Sequence, residues 1–515
     1  MKPNLLLPLA LIGAMPLAAK QNPNIIFILA DDLGYGDLEC YNHDCKIPTV
    51  HLNTMAENGV MFTDAHTSSA VSTPTRYGIV TGRYNWRSTL KSSVLSGTSQ
   101  ALIENERTTV ADVLKNSGYS TAAIGKWHLG WGWSIIEPDP NGLDNNNLSS
   151  QPNIDFTKDI TNSPNDLGFD YYYAFCGSLD MPPYVWVENN KITQVPTKRT
   201  VNKGMKFWRP GLTADDFDHY HILQDVADKA MWFMEEKSED ENPFFIYLPL
   251  PAPHTPILPS EEFIGKSNTT TYGDYVMQVD DVVGQIRAKL DELGISDDTI
   301  LIFTSDNGCS TAARIPDLLE FGHSPNGILR GNKADLYEGG HRVPYIVEWA
   351  NGAKAGLESD DVICTTDLLA TVADITGYKI KDNEGEDSFS FLSSLKGKSG
   401  KSNRKYTVHH SISGAFAIRS GYWKLLFSKG SAGWSYPTDA QIEKEGLILP
   451  DLQLYNLYDD ISETTNVVDD YPKLTAELTE VLKKIITDGR STKGAVQEND
   501  GTDNWPQLDA IFKTK

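Results

Sequence analysis

Two acidic pairs sit at the ends of apolar runs. Asp31-Asp32 directly follows the run at 24–30, and Asp306-Asn307-Gly308 closes another at 299–304. Oxygen-only ligands delivered from two neighbouring strand ends are what a hard cation such as Ca²⁺ or Mg²⁺ requires. Each pair alone suits a solvated turn better, since Asp-Asp starts turns and Asp-Asn-Gly makes hairpin bends. Together, each after a buried run, they favour a metal. Two more runs, 121–124 and 244–248, lead into Lys126 with His128 and into His254. Such groups hold anions and move protons, although a lone histidine in Pro253-His254-Thr255-Pro256 is ordinarily a loop or core residue. Ser72-Thr73-Pro74-Thr75-Arg76 reads as a helix start, with a capping serine, an early proline and an arginine on the helix face.

Positioning these side chains is the task of the elements between them. Continuous β-branched runs such as Asn24-Ile25-Ile26-Phe27-Ile28-Leu29-Ala30 suit strands buried on both faces of a parallel sheet. Val276, Val279, Val283, Ile286, Leu290 and Leu293 step by three and four residues, with Gly294 as a stop, which predicts a helix. Alternating strands and helices predict an α/β fold, a large and mostly parallel sheet sandwiched by helices. Ligands bind such sheets at the carboxyl ends of the strands, so all the polar residues named above are expected on one edge. Between 381 and 404 the composition turns polar and rich in Gly, Ser and Lys, giving a catalytic domain over 20–400 and a smaller α+β domain over 401–515. In the latter, 416–419 and 422–426 read as a hairpin in a short antiparallel sheet, and Leu474, Leu478, Val481 and Ile485 as one amphipathic helix.

The 515 residues carry a formal net charge of −24, which excludes nucleic acid and anionic membrane surfaces as partners, because both select basic faces. An anionic substrate remains compatible if cations are concentrated locally. Five cysteines are too few and too scattered for a disulfide scaffold. Residues 1–19 read as a cleaved export signal, with Lys2, an apolar stretch and a small-residue exit, which predicts a periplasmic or extracellular protein without a membrane anchor.

Ser72-x-Pro74-x-Arg76 followed by Val80-Thr81-Gly82 resembles the signature of the type I sulfatases, in which a Cys or Ser is oxidised to formylglycine (3-oxoalanine). Gly125-Lys126-Trp127-His128-Leu129-Gly130, Ser305-Asp306-Asn307-Gly308 and Leu329-Arg330-Gly331-Asn332-Lys333 follow in the family's order. So do Tyr337-Glu338-Gly339-Gly340-His341-Arg342-Val343-Pro344, Arg419-x-Gly421-x-Trp423-Lys424-Leu425 and Glu463-x-x-Asn466. The resemblance spans nearly the whole mature chain and implies an alkaline phosphatase-like fold. It implies one Ca²⁺ (or Mg²⁺) on Asp31, Asp32, Asp306, Asn307 and modified Ser72. It further implies that Arg76 and Lys126 stabilise the nucleophile, that His128 acts as base, and that His254 and Lys333 contact the sulfate and protonate the leaving oxygen. One anionic ester needs several cations around it, which gives Lys126, His254 and Lys333 roles their types alone do not.

Three departures carry information. Ser72 in place of the more widespread Cys implies an anaerobic radical maturation enzyme as a partner; Thr75 stands where Ser is commonest, and His341 where an apolar residue is usual. Similarity to arylsulfatases and N-acetylgalactosamine-6-sulfatases is strongest at 171–184 and 323–327, which favours a sulfated carbohydrate bearing 6-O-sulfate on galactose or N-acetylgalactosamine. Asp180 and His323 are then candidate partners of sugar hydroxyls. Two alternatives stay open: a phosphonate or phosphate monoester hydrolase of the same superfamily, and an unmodified protein that binds sulfated glycans without cleaving them.

Overall fold

The computed structural model describes residues 22–137, 153–398, 404–501 and 505–512; the export signal expected over 1–19 lies outside them. Within the described residues the apolar runs are strands of one ten-stranded sheet. In chain order these are β1 (Asn24–Asp31), β2 (Val60–Phe62), β3 (Ser120–Lys126), β4 (Tyr171–Phe175), β5 (Val187–Glu188), β6 (Lys191–Ile192), β7 (Phe244–Pro253), β8 (Thr299–Ser305), β9 (Tyr345–Glu348) and β10 (Leu357–Ser359). Their spatial order is β10-β2-β9-β8-β1-β7-β3-β4-β5-β6. The five strands from β8 to β4 are mutually parallel. The flanks are not: β9 pairs antiparallel with both β8 and β2, and β5 and β6 fold back as a short meander. The expectation of a mostly parallel sheet thus holds for its centre.

Burial explains the pattern. All eight residues of β1 are buried, with Phe27 in register with Tyr247 on one side and Ile302 on the other. A strand enclosed on both faces must be apolar throughout, and each fully buried Ile, Leu or Phe stabilises the fold by roughly 1.5–3 kcal/mol. Helices cover the sheet in two groups. In the first, α1 (Ser72–Thr81), α2 (Val110–Asn116) and α5 (Leu368–Thr376) pack together. In the second, α3 (Ile222–Ser238) packs on α4 (Thr271–Glu292), and both lie against β7. The predicted stripe of α4, from Val276 to Leu290, faces inward.

A smaller antiparallel sheet holds β11 (Tyr406–His410), β12 (Phe416–Ser420), β13 (Trp423–Leu426) and β14 (Gln453–Asn456) in that order. Leu478, Leu482, Ile485 and Ile486 of α6 (Pro472–Thr487) close a second core over Phe416, Ile418, Leu425 and Leu454. All five cysteines are free thiols. Among the described residues no helix is long and apolar enough to cross a membrane.

Candidate active site

Four neighbouring parallel strands end at the same edge, and each delivers a polar side chain there. β1 ends in Asp31 and leads to Asp32, β3 ends in Lys126, β7 leads to His254 and β8 to Asp306-Asn307. Ser72 opens α1 and Arg76 lies one helical turn further on, so both face the strand ends. Lys333 arrives from a turn whose backbone is tied to Cys309 and Ala70.

Ser72 Oγ lies 3.3 Å from Asp31 Oδ1 and 3.4 Å from Lys126 Nζ. Lys126 Nζ also donates to Asp31 Oδ2 at 2.6 Å, and Lys333 Nζ meets Asp32 Oδ1 at 2.6 Å. Arg76 donates to Asp306 Oδ2 at 2.8 Å and to the Lys126 carbonyl at 3.0 Å, locking the two strand ends together. The Asp32 backbone N–H donates to Asp306 Oδ1 at 3.1 Å. Two of these residues, Asp32 (φ 66°) and His128 (φ 55°), hold left-handed backbone that non-glycine residues seldom adopt, a strain that functional sites commonly carry. Gly125, at φ 119°, cannot be replaced cheaply: a Cβ there would sit 2.2 Å from the Pro249 carbonyl oxygen.

Burial pushes the Asp31 carboxyl up, but Lys126, His254 and Arg76 outweigh it and hold the group at about 2, so it is ionised. Burial would discharge Lys333, yet Asp32, Asp31 and Asp306 raise it above the ordinary lysine range. Burial, reinforced by Lys126 and Arg76, keeps His128 well below the usual histidine range and therefore neutral. Its Nε2 bonds to the Leu95 carbonyl at 2.8 Å, which assigns the proton to Nε2 and leaves Nδ1, buried and without a partner, as an acceptor.

The donor set fits a hard cation. Asp31, Asp32 and Asp306 are at most 2% exposed, and Asn307 Oδ1 is buried with no partner while its Nδ2 donates to Asp32 Oδ1 at 2.7 Å. An orphaned amide oxygen beside three carboxylates is costly unless something positive meets it. Asp31, Asp32 and His254 also lie close enough to share an ion.

The two candidate sugar partners separate. Asp180 stands beside the site: His254 and Arg209 hold its carboxylate below the usual range against the effect of burial, Arg209 binds Oδ2, and Oδ1 is left without a partner. His323 is elsewhere and cannot meet a sugar, because it is fully buried with Nε2 on Asp37 at 2.8 Å and Nδ1 accepting from the Lys46 backbone at 3.3 Å. Ser178 was not singled out in the sequence, yet its Oγ bridges Lys126 Nζ (3.1 Å) and the His254 ring (3.3 Å). No spacing marks this serine; only the meeting of loop and strand ends does.

Comparison with known proteins agrees with this geometry. The Sulfatase family model matches residues 23–378. An N-acetylgalactosamine-6-O-sulfatase of Bacteroides thetaiotaomicron is 34% identical over 506 residues, covering 91% of this chain and 94% of that protein. Human arylsulfatase A is 30% identical over 492 residues, with 93% and 89% covered. A solved structure from work on glycosaminoglycan metabolism by Bacteroides thetaiotaomicron superposes with a TM-score of 0.78 at 33% identity, covering 90% of this chain and 99% of that one. A phosphonate monoester hydrolase of Agrobacterium radiobacter, at 18% identity and a TM-score of 0.57, shares the fold alone. With the family model spanning more than half its length, the chain belongs to the sulfatase family and is a sulfuric ester hydrolase.

Proposed function

We propose that this sulfatase removes 6-O-sulfate from galactose or N-acetylgalactosamine in a glycan such as chondroitin or mucin, with a formylglycine made from Ser72 as nucleophile. The observation that carries the reading is the position of Ser72 Oγ, within 3.4 Å of both a carboxylate of the cation cluster and the Lys126 ammonium. The substrate preference is supported by the 34% identical relative named for that linkage.

Oxidation of the Ser72 side chain removes two hydrogens and leaves an aldehyde, which water converts to a geminal diol. Asp31, Asp32, Asp306 and Asn307 would hold a Ca²⁺ or Mg²⁺, which would supply Lewis-acid polarisation of the sulfate and of the nucleophile. Arg76 keeps two of those carboxylates in place, and Lys126 stabilises the attacking oxygen. The first hydroxyl gives its proton to water and its oxygen attacks sulfur in line, the sulfur–sugar oxygen bond breaks, and the departing oxygen takes a proton from His254, with Lys333 balancing charge on the sulfate. Nδ1 of neutral His128 then accepts the proton of the second hydroxyl; the bond from carbon to sulfate oxygen breaks and the aldehyde returns. Residues 401–515 form the smaller domain in this reading, and the leader at 1–19 directs the protein to the periplasm or beyond.

The test pairs peptide mass spectrometry of the Ser72 segment, with and without an anaerobic radical maturation enzyme, with sulfate release from sulfated monosaccharides and phosphonate release from a monoester. Sulfate release that appears only with the oxidised form supports the reading. Phosphonate release exceeding sulfate release selects the monoester hydrolase, and binding without turnover by unmodified protein selects a glycan-binding role.

A further inference from the structure

A rigidly mounted, uncovered tryptophan stands beside the turn that carries Lys333. Lys333, Ala334 and Asp335 follow one another, and the Asp335 carboxylate is fully buried. Asp335 Oδ1 accepts from the backbone of Trp434 at 2.7 Å and of Ser435 at 3.0 Å, and Oδ2 accepts from the Ser435 hydroxyl. Asn332 Nδ2 donates to Ser435 Oγ at 2.9 Å, and Leu336 N–H donates to the Ser431 carbonyl at 2.9 Å. Gly433 packs so closely that a Cβ there would lie 2.5 Å from Ala334 backbone atoms. This loop of the small sheet is thereby clamped to the turn whose lysine reaches the cation cluster.

Trp434 is 43% exposed, and among the described residues its ring stacks on no other ring and carries no cation. Trp232, equally exposed, is covered differently: Tyr171 and Phe233 lie against it and Lys229 sits over its face. Tyr436, the other exposed aromatic of the loop, is tied by its hydroxyl to Glu445 at 3.0 Å. An indole fixed by its backbone and left bare loses little entropy when a flat partner arrives, and the apolar face of a pyranose is such a partner. The backbone that carries the indole is therefore fixed to Ala334 and Asp335, next in sequence to the lysine whose ammonium reaches the cation cluster.

Resting on the sulfatase reading above, we propose that Trp434 is a platform for the pyranose next to the sulfated one, so that the enzyme prefers a sulfated oligosaccharide to a sulfated monosaccharide. The small domain then contributes specificity while the large one performs the chemistry.

The experiment compares kcat/KM for a sulfated monosaccharide and for a trisaccharide carrying the same sulfated unit, in matured wild-type, Trp434→Ala, Trp434→Phe and Trp232→Ala proteins. The ratio of trisaccharide to monosaccharide should fall by about two- to tenfold in Trp434→Ala, chiefly through KM, recover in Trp434→Phe, and stay at the wild-type value in Trp232→Ala, as one lost stacked ring is worth roughly 0.5–1.5 kcal/mol. An unchanged ratio in Trp434→Ala, or one that falls equally in Trp232→Ala, overturns the platform. Calorimetric titration of the trisaccharide into Ser72→Ala protein separates the two readings: no binding sinks the sulfatase substrate reading and the platform with it, whereas binding that Trp434→Ala does not weaken sinks the platform alone.

Discussion

Two buried clusters each set three acids against three bases. At the strand ends Asp31, Asp32 and Asp306 face Arg76, Lys126 and Lys333; where the small sheet docks, Asp64, Glu338 and Glu463 face Arg342, Arg419 and Lys424. Charge count therefore does not tell them apart. The kind of atom each leaves unpaired does. In the docking cluster Arg419 grips both oxygens of Asp64, Lys424 bridges Glu338 and Glu463 at 2.9 Å each, and the Glu338 N–H donates to Glu463 at 2.6 Å. At the strand ends the atoms without a hydrogen-bond partner are Asn307 Oδ1, His128 Nδ1 and Asp180 Oδ1; in the docking cluster they are His409 Nε2 and Glu463 Oε1, the latter already 2.9 Å from the Lys424 ammonium. Amide and carboxylate oxygens left open suit an incoming ligand, whereas the open carboxylate oxygen of the docking cluster already faces a lysine of the small sheet.

The docking cluster also contains three imidazoles, His66, His341 and His409, near enough in space to suggest a metal triad. Their geometry argues otherwise. The His341 and His409 rings stack face to face at 3.8 Å and 11°, so a metal in the plane of one ring lies off the plane of the other. Positive charge is already supplied by Lys424, 3.0 Å from His341, and by Arg419, 2.8 Å from His66.

The contrast breaks most visibly at the nucleophile. Ser72→Ala should reduce sulfate release by at least ~10³-fold with an unchanged melting temperature; substantial residual turnover would remove Ser72 from its role. Lys424→Met should do the reverse, costing about 3–5 kcal/mol in urea unfolding by stranding Glu338 and Glu463, while activity per folded molecule is kept. Chelation should abolish activity and lower stability by roughly 2–3 kcal/mol, restored by added Ca²⁺. Asp306→Asn should erase that thermal response and His409→Ala should leave it intact; the opposite pattern would place the ion in the docking cluster.

The most gradual effect concerns pH. Burial holds His66, His341 and His409 below the ordinary histidine range. The unfolded chain then binds protons that the folded one refuses, so stability declines as pH falls below about 6.5, by up to ~1.4 kcal/mol per pH unit for each imidazole. A melting curve series from pH 7 to 5 checks this, and a His341→Leu protein should show a shallower slope.

The centre of the sheet was legible because β1, β3, β7 and β8 are buried on both faces and so write themselves as unbroken apolar runs with polar ends. Edge strands such as β5 and β6, two residues each, leave no such trace. Residues on those strand ends, together with Ser72 and Lys333, could be named from position and family pattern. Ser178 could not, because only the fold brings its loop to Lys126. His323 misled for the same reason in reverse: its partner, Asp37, lies 286 residues away and closes it off. His341, an oddity in sequence, lies between His66 and Lys424 where the small sheet meets the rest of the fold.

Ser72 is 2% exposed, on a helix whose ten residues are all buried. So enclosed a side chain leaves no room for the active site of another enzyme to close around it. If Ser72 is to be oxidised, that event belongs to the time before the helix is enclosed, while 68–83 is still an extended, reachable peptide. On that condition folding and maturation would be in a race, and a chain that folded first would keep an unconverted serine.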